Sequence, residues 1–199
     1  MRNILTRPPA QNEAGKRVGE WINSESWATA IELLIKGGIM IKRIDVASVP
    51  TVTGSLYPSP FDEPCRHKSR QRLGNVAGLT QFGVNLLRLQ PGAWSSQRHW
   101  HTKEDEFVYV LTGEVVLVTD SGEEVLRAGD AAGFKADDRN GHCLQNRSNL
   151  EAQVLEVGTR AEDDTTYYSD IDMVAPATHV PAIYTHRDGT PYENIRRRT

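Results

Sequence analysis

Cysteine is scarce: Cys65 and Cys143 are the only two in 199 residues. One disulfide is the most the chain could form, which excludes a densely cross-linked secreted scaffold. An excess of one charge sign is also lacking. Lys and Arg number 23 against 26 Asp and Glu, for a formal net charge of −3. That is too little for broad attraction to nucleic acid or to a membrane surface, and neither is expected as a partner. Long hydrophobic runs are missing: the most apolar stretch is broken by Lys36, Lys42 and Arg43, far short of a membrane span. Residues 1–10 carry Arg2, Arg7 and two prolines with no continuous apolar segment, so no secretory leader is expected. Reduced thiols in the cytoplasm follow as the expectation. Repeats and low-complexity tracts are absent, and the basic end Arg196-Arg197-Arg198 reads as a solvated terminus.

What is present divides the chain into four parts. Residues 1–39 form an N-terminal extension with one short helix: Ser24 or Ser26 caps it, Trp27, Ile31, Leu34 and Ile35 give it an apolar face, and Gly37-Gly38 stops it. Residues 40–75 hold a strand over Ile41–Val46, then an irregular, proline-rich arm on the surface. Residues 76–160 have an all-β texture. Candidate strands at 80–89, 96–101, 106–111, 114–119, 123–127, 131–134, 142–146 and 152–157 are separated by glycine- and aspartate-rich turns such as Asp120-Ser121-Gly122. Many short strands without a long helix argue for a sandwich or barrel. Residues 161–199 are polar and read as a tail packed on that domain.

The residues that carry chemistry lie in the β region. His99 and His101 are two apart, so on a strand both imidazoles face the same side. Glu106 follows a four-residue turn and shares its strand face with Val108 and Val110, while Phe107, Tyr109 and Leu111 take the opposite face. His142 opens a further strand, and the adjacent Cys143 points the other way as a packed thiol. Cys65 sits among basic residues that lower a thiol pKa, although an ordinary loop thiol is the plainer reading. Three imidazoles and one carboxylate make a site suited to one divalent transition metal, Fe, Mn, Ni or Zn, and poor for Cu(I) or Ca(II). Glu104 and Asp105 are the rival carboxylates, and a solvated turn is the expectation for both.

These spacings resemble the two motifs of the cupin superfamily. The first runs from a glycine to His-x-His, four residues, Glu, six residues and Gly; the second runs Gly, Pro, Gly, His, three residues, Asn. Carried over by position, His99, His101, Glu106 and His142 match the metal ligands, and Gly113, Gly129 and Asn146 match structural positions. Six residues rather than five separate Gly92 from His99, and Lys135 stands where proline is usual. The stretches Gln81–Asn85 and Leu155–Arg160 resemble a bacterial branch of single-domain cupins, some labelled sugar-phosphate-isomerase-like. The resemblance implies an all-β double-stranded β-helix (jelly-roll) barrel over 76–160 and a homodimer. It also implies a metal-dependent enzyme on a small polar organic molecule, of dioxygenase or isomerase/lyase type. A non-catalytic small-molecule binder or sensor stays open as the alternative.

Overall fold

The alternation that marks a half-buried strand is clearest in Glu106–Thr112, where Val108 and Val110 are buried and Phe107, Tyr109 and Leu111 are exposed. The structure is a computed structural model that describes residues 43–177, 183–193 and 195. The chain divides into two units, Met1–Arg43 and Ile44–Thr199, and the second holds the β structure. The helix expected before Met40 lies outside the described residues, as do Ile41 and Lys42.

Among the described residues, twelve strands build the second unit: β1 (Thr51–Thr53), β2 (Lys68–Gln71), β3 (Phe82–Leu89), β4 (His99–His101), β5 (Glu106–Thr112), β6 (Glu114–Thr119), β7 (Gly122–Arg127), β8 (Ala131–Phe134), β9 (Cys143–Gln145), β10 (Ala152–Thr159), β11 (Thr166–Tyr168) and β12 (Val174–Ala175). One four-residue helix, α1 (Leu73–Val76), leads into β3. The strands form a six-stranded sheet, β1-β2-β3-β10-β5-β8, and two three-stranded sheets, β12-β11-β4 and β7-β6-β9. All pairings are antiparallel. This is the expected all-β jelly-roll architecture. Between the sheets lies a core of Leu87, Leu89, Val110, Val115, Leu144 and Val154, all at most 2 % exposed. Each such side chain contributes roughly 1.5–3 kcal/mol by leaving water. Among the described residues no helix is long and apolar enough to cross a membrane.

Two expectations need correction. The Ile41–Val46 strand is not formed in its described part: Val46–Ser48 is a 3-10 turn, and the Asp45 side chain accepts from the Ala47 N–H at its start. A local cap outcompetes extension there. The arm of residues 50–75 is also more regular than expected. β1 and β2 join the large sheet, and Lys68 and Gln71 are buried. The Gln71 amide donates to the carbonyls of Val46 and Val49, both at 2.8 Å, tying the turn down. The C-terminal segment is likewise part of the sheets: β11 pairs with β4, placing Thr166 beside His101 and Tyr168 beside His99.

Candidate metal centre

β4 carries His99 and His101 on one face and Trp100 on the other, where Trp100 stacks on Tyr167 with centroids 4.8 Å apart. The turn 102–105 is pinned from outside. The Asp105 N–H donates to Thr159 Oγ1 at 2.8 Å, and its carboxylate accepts from the Ala136 N–H at 2.7 Å. Glu104 accepts from the Ala161 N–H at 2.9 Å. With those two carboxylates engaged, Glu106 is the one that enters the barrel, at the head of β5 between Phe134 and Gly158 on the neighbouring strands. His142 is held against His99 by reciprocal backbone hydrogen bonds of 3.1 and 2.8 Å, and Phe134 lies flat on its ring at 3.5 Å.

The result is a tight convergence. Glu106 Oε2 lies 2.9 Å from His142 Nε2 and 3.6 Å from the Nε2 atoms of both His99 and His101. All four residues singled out in the sequence are therefore brought to one place. The far sides of two rings are also fixed. His99 Nδ1 is 3.0 Å from the Gln97 carbonyl, an acceptor only, so Nδ1–H donates to it. His101 Nδ1 is 2.7 Å from the Asp164 carboxylate, again an acceptor. In their neutral forms both rings then turn Nε2 lone pairs toward a carboxylate. Lone pairs facing an anion repel unless a proton or cation lies between them, so this donor set fits a divalent cation.

The electrostatics agree with that fit. Burial works against the Glu106 anion, but the hydrogen bond from His142 and, when those rings are protonated, the charges of His99 and His101 hold its carboxyl well below the usual range. Burial pushes His142 down against the pull of Glu106, favouring the neutral ligand form. Burial also opposes charge on His101, yet the hydrogen bond to Asp164 and the charges of Glu106 and Asp164 outweigh it and leave that ring raised. A metal held by His101 would have to displace that proton, so its affinity would fall as pH drops through the raised His101 value.

Asp164 is invisible in sequence. It lies 58 positions beyond Glu106 in a polar segment, and nothing local marks it; only the β11–β4 pairing brings it to His101. It also accepts from the Lys103 N–H at 2.9 Å and the Thr102 hydroxyl at 3.3 Å. His101, Glu104 and Asp164 thereby form a second cluster on the Nδ1 side of that ring. Asn146 is fully buried and structural: its amide donates to the carbonyls of Leu89 and Leu150, both at 2.7 Å. Neither cysteine is paired, and both are buried. Burial pushes the Cys65 thiol up despite Lys68 and Arg70 nearby, and pushes Cys143 up to about 11. Both are packed, unreactive thiols.

The cupin domain family model matches residues 85–158, which hold all four converging residues. No curated protein matches the chain. Among solved structures, a sugar phosphate isomerase from a cupin superfamily of Silicibacter pomeroyi DSS-3 is 43 % identical, with a TM-score of 0.70, over 77 % of this chain and 98 % of that one. A protein provisionally named sugar phosphate isomerase, from Acidithiobacillus ferrooxidans ATCC 23270, is 27 % identical, with a TM-score of 0.53, over 55 % of this chain and 70 % of that one. With its barrel topology, its motif spacing and a relative matched over nearly that relative's whole length, this chain belongs to the cupin superfamily.

Proposed function

We propose that His99, His101, Glu106 and His142 hold one divalent transition metal, and that the protein is a metal-dependent isomerase of small polyhydroxylated substrates, sugar phosphates being the class its relatives' names point to. The observation that carries this is the set of three Nε2 atoms within 3.6 Å of one carboxylate oxygen. A bound ion supplies Lewis acidity to a substrate carbonyl or enediol oxygen. The chain's own residues set the geometry. The Gln97 carbonyl and Asp164 orient two rings, Phe134 packs the third, and Glu106 contributes the single negative charge. A shallow opening lined by Trp100, Glu104, Phe134, Lys135 and Asp138 reaches the centre from solvent. The unpaired, buried thiols accord with a reducing compartment such as the cytoplasm.

The test is a chelator-treated preparation assayed on aldose and ketose phosphates under anaerobic conditions. Activity is expected to vanish with chelator and to return with any of several ions, without oxygen. Rescue by iron alone with stoichiometric oxygen uptake would assign dioxygenase chemistry instead. Tight binding of substrate without turnover by any ion would assign a sensor.

The outer face of the large sheet supports a homodimer. Phe107, Tyr109 and Leu111 are 45, 38 and 41 % exposed, and cross-strand register puts Val157 and Leu155 beside the first two. An apolar row of this kind on a barrel is commonly covered by a second copy. Light scattering at micromolar concentration is expected to give a dimer mass, and the double substitution Phe107→Lys, Tyr109→Lys to give a monomer. A monomer mass for the unaltered protein would refute this.

A further inference from the structure

The inner face of the large sheet changes character along its length. In the row at the barrel's middle, Leu87 and Val154 face each other and are fully buried. One row nearer the metal centre, Asn85 pairs with Glu156, and the next row is Gly83 with Gly158, which stands beside Glu106. Arg70 enters the same face from β2, in register with Leu87. Its guanidinium reaches past β3 to both Glu156 oxygens, at 2.8 and 2.7 Å, and the Asn85 amide is 3.5 Å from the same carboxylate. Glu156 above all, and Glu106 beyond it, favour the charged guanidinium, so the pair and the metal centre belong to one electrostatic neighbourhood.

Three features set this wall apart from a structural ion pair. Its residues point inward by register, yet Arg70, Glu156 and Glu106 keep 32, 18 and 31 % of their side-chain surface accessible. Inward-facing yet accessible, these side chains are not sealed into the apolar core, although Arg70, Asn85 and Glu156 lie outside the opening lined by Trp100 and Phe134. The glycine row lets Glu106 lie close against the sheet: a Cβ on Gly158 would stand 3.5 Å from the Asp105 carbonyl oxygen and 3.6 Å from Glu106 Cγ. And Asn85, only half-buried, has one long hydrogen bond at its amide nitrogen, leaving capacity for a ligand.

We infer that Asn85, Arg70 and Glu156 form a substrate-recognition subsite beside the metal centre that binds the neutral, vicinal-hydroxyl part of a polyol or sugar. The chemistry is complementary: the carboxylate accepts from hydroxyls, the guanidinium donates to their oxygens, and the amide does both. Because Arg70 and Glu156 neutralise each other, the wall favours a neutral polyol segment and gives no net attraction to a phosphate. A charged end of the substrate binds elsewhere, and Lys135 at the solvent opening is the cation placed for it. The inference rests on the isomerase reading of the same site.

The test uses the full chain as purified and ribitol as probe, with binding followed by saturation-transfer NMR and metal by elemental analysis. Ribitol is expected to bind, and Asn85→Ala and Glu156→Gln are expected to weaken it at least tenfold while metal content stays at the unaltered level. Asn85→Ala removes no backbone tie, so it remains a fair test should Glu156→Gln fold poorly. Equal ribitol binding in the unaltered protein and Asn85→Ala, or no ribitol binding at all, overturns the subsite. A protein without metal that still binds ribitol through Asn85 would keep the subsite and reject the metal-centred reading.

Discussion

Glu106→Ala is expected to strip the protein of its metal. Purified without chelator, the unaltered chain is expected to carry close to one divalent transition ion, and the variant almost none. The oxygen removed is the one on which three imidazole Nε2 atoms converge, at 2.9, 3.6 and 3.6 Å. Without it the ion would lose one of its four protein bonds and the one anionic partner among them, in a place where an unneutralised divalent charge is costly to bury. His101→Ala has the same outcome. Asp105→Ala keeps the metal, because the Asp105 carboxylate is committed to the Ala136 N–H on the outside of the turn. Elemental analysis of matched preparations decides the matter. Retention in Glu106→Ala together with loss in Asp105→Ala would show that the wrong carboxylate has been assigned.

The largest effect on stability is expected from Gly113→Ala. Gly113 turns β5 into β6 with φ at +74°, a left-handed conformation costing roughly 1–2 kcal/mol once a Cβ is present. That Cβ would also lie 2.9 Å from the Glu151 carbonyl oxygen and 3.0 Å from the Ala152 Cα. Both are backbone atoms at the entry to β10, which cannot step aside without disturbing the central strand of the large sheet. A total loss of about 3 kcal/mol or more is expected, lowering the melting midpoint by roughly 6–12 °C. Gly92→Ala is the control: φ is +83°, but nothing lies within 4 Å of the added atom. It should cost only the left-handed term, about 1–2 kcal/mol. Equal midpoints for the two variants would mean that the close approach at Gly113 relaxes freely.

Much of the fold between Phe82 and Thr159 is legible in sequence because strands buried on one face write their register as alternation. β5 shows how far this reaches: the parity that buries Val108 and Val110 also sends Glu106 inward and Phe107 outward. Its six-residue interval to Gly113, matched to the cupin motif, singles out Glu106 over Glu104 and Asp105; the structure commits Asp105 to the Ala136 N–H, while Glu104, expected in a solvated turn, instead lies beside His101 Nδ1 at the opening. The β2 strand is hidden for a different reason. Lys68-Ser69-Arg70-Gln71 contains no apolar residue, so pattern reading finds nothing, yet Lys68 is buried beneath Ser95 and Arg70 is held by Glu156. Polar residues fill an inward face when the barrel end they line is itself polar. Asp164 is out of reach because its role depends on a long-range pairing.

The central claim is that one metal ion sits where three imidazoles meet Glu106, and anomalous diffraction at the ion's absorption edge tests it most directly. The account predicts a single peak about 2.0–2.2 Å from the Nε2 atoms of His99, His101 and His142 and from the Glu106 carboxylate. A peak on the Nδ1 side of His101, between Glu104 and Asp164, or no peak in protein prepared without chelator, would contradict it.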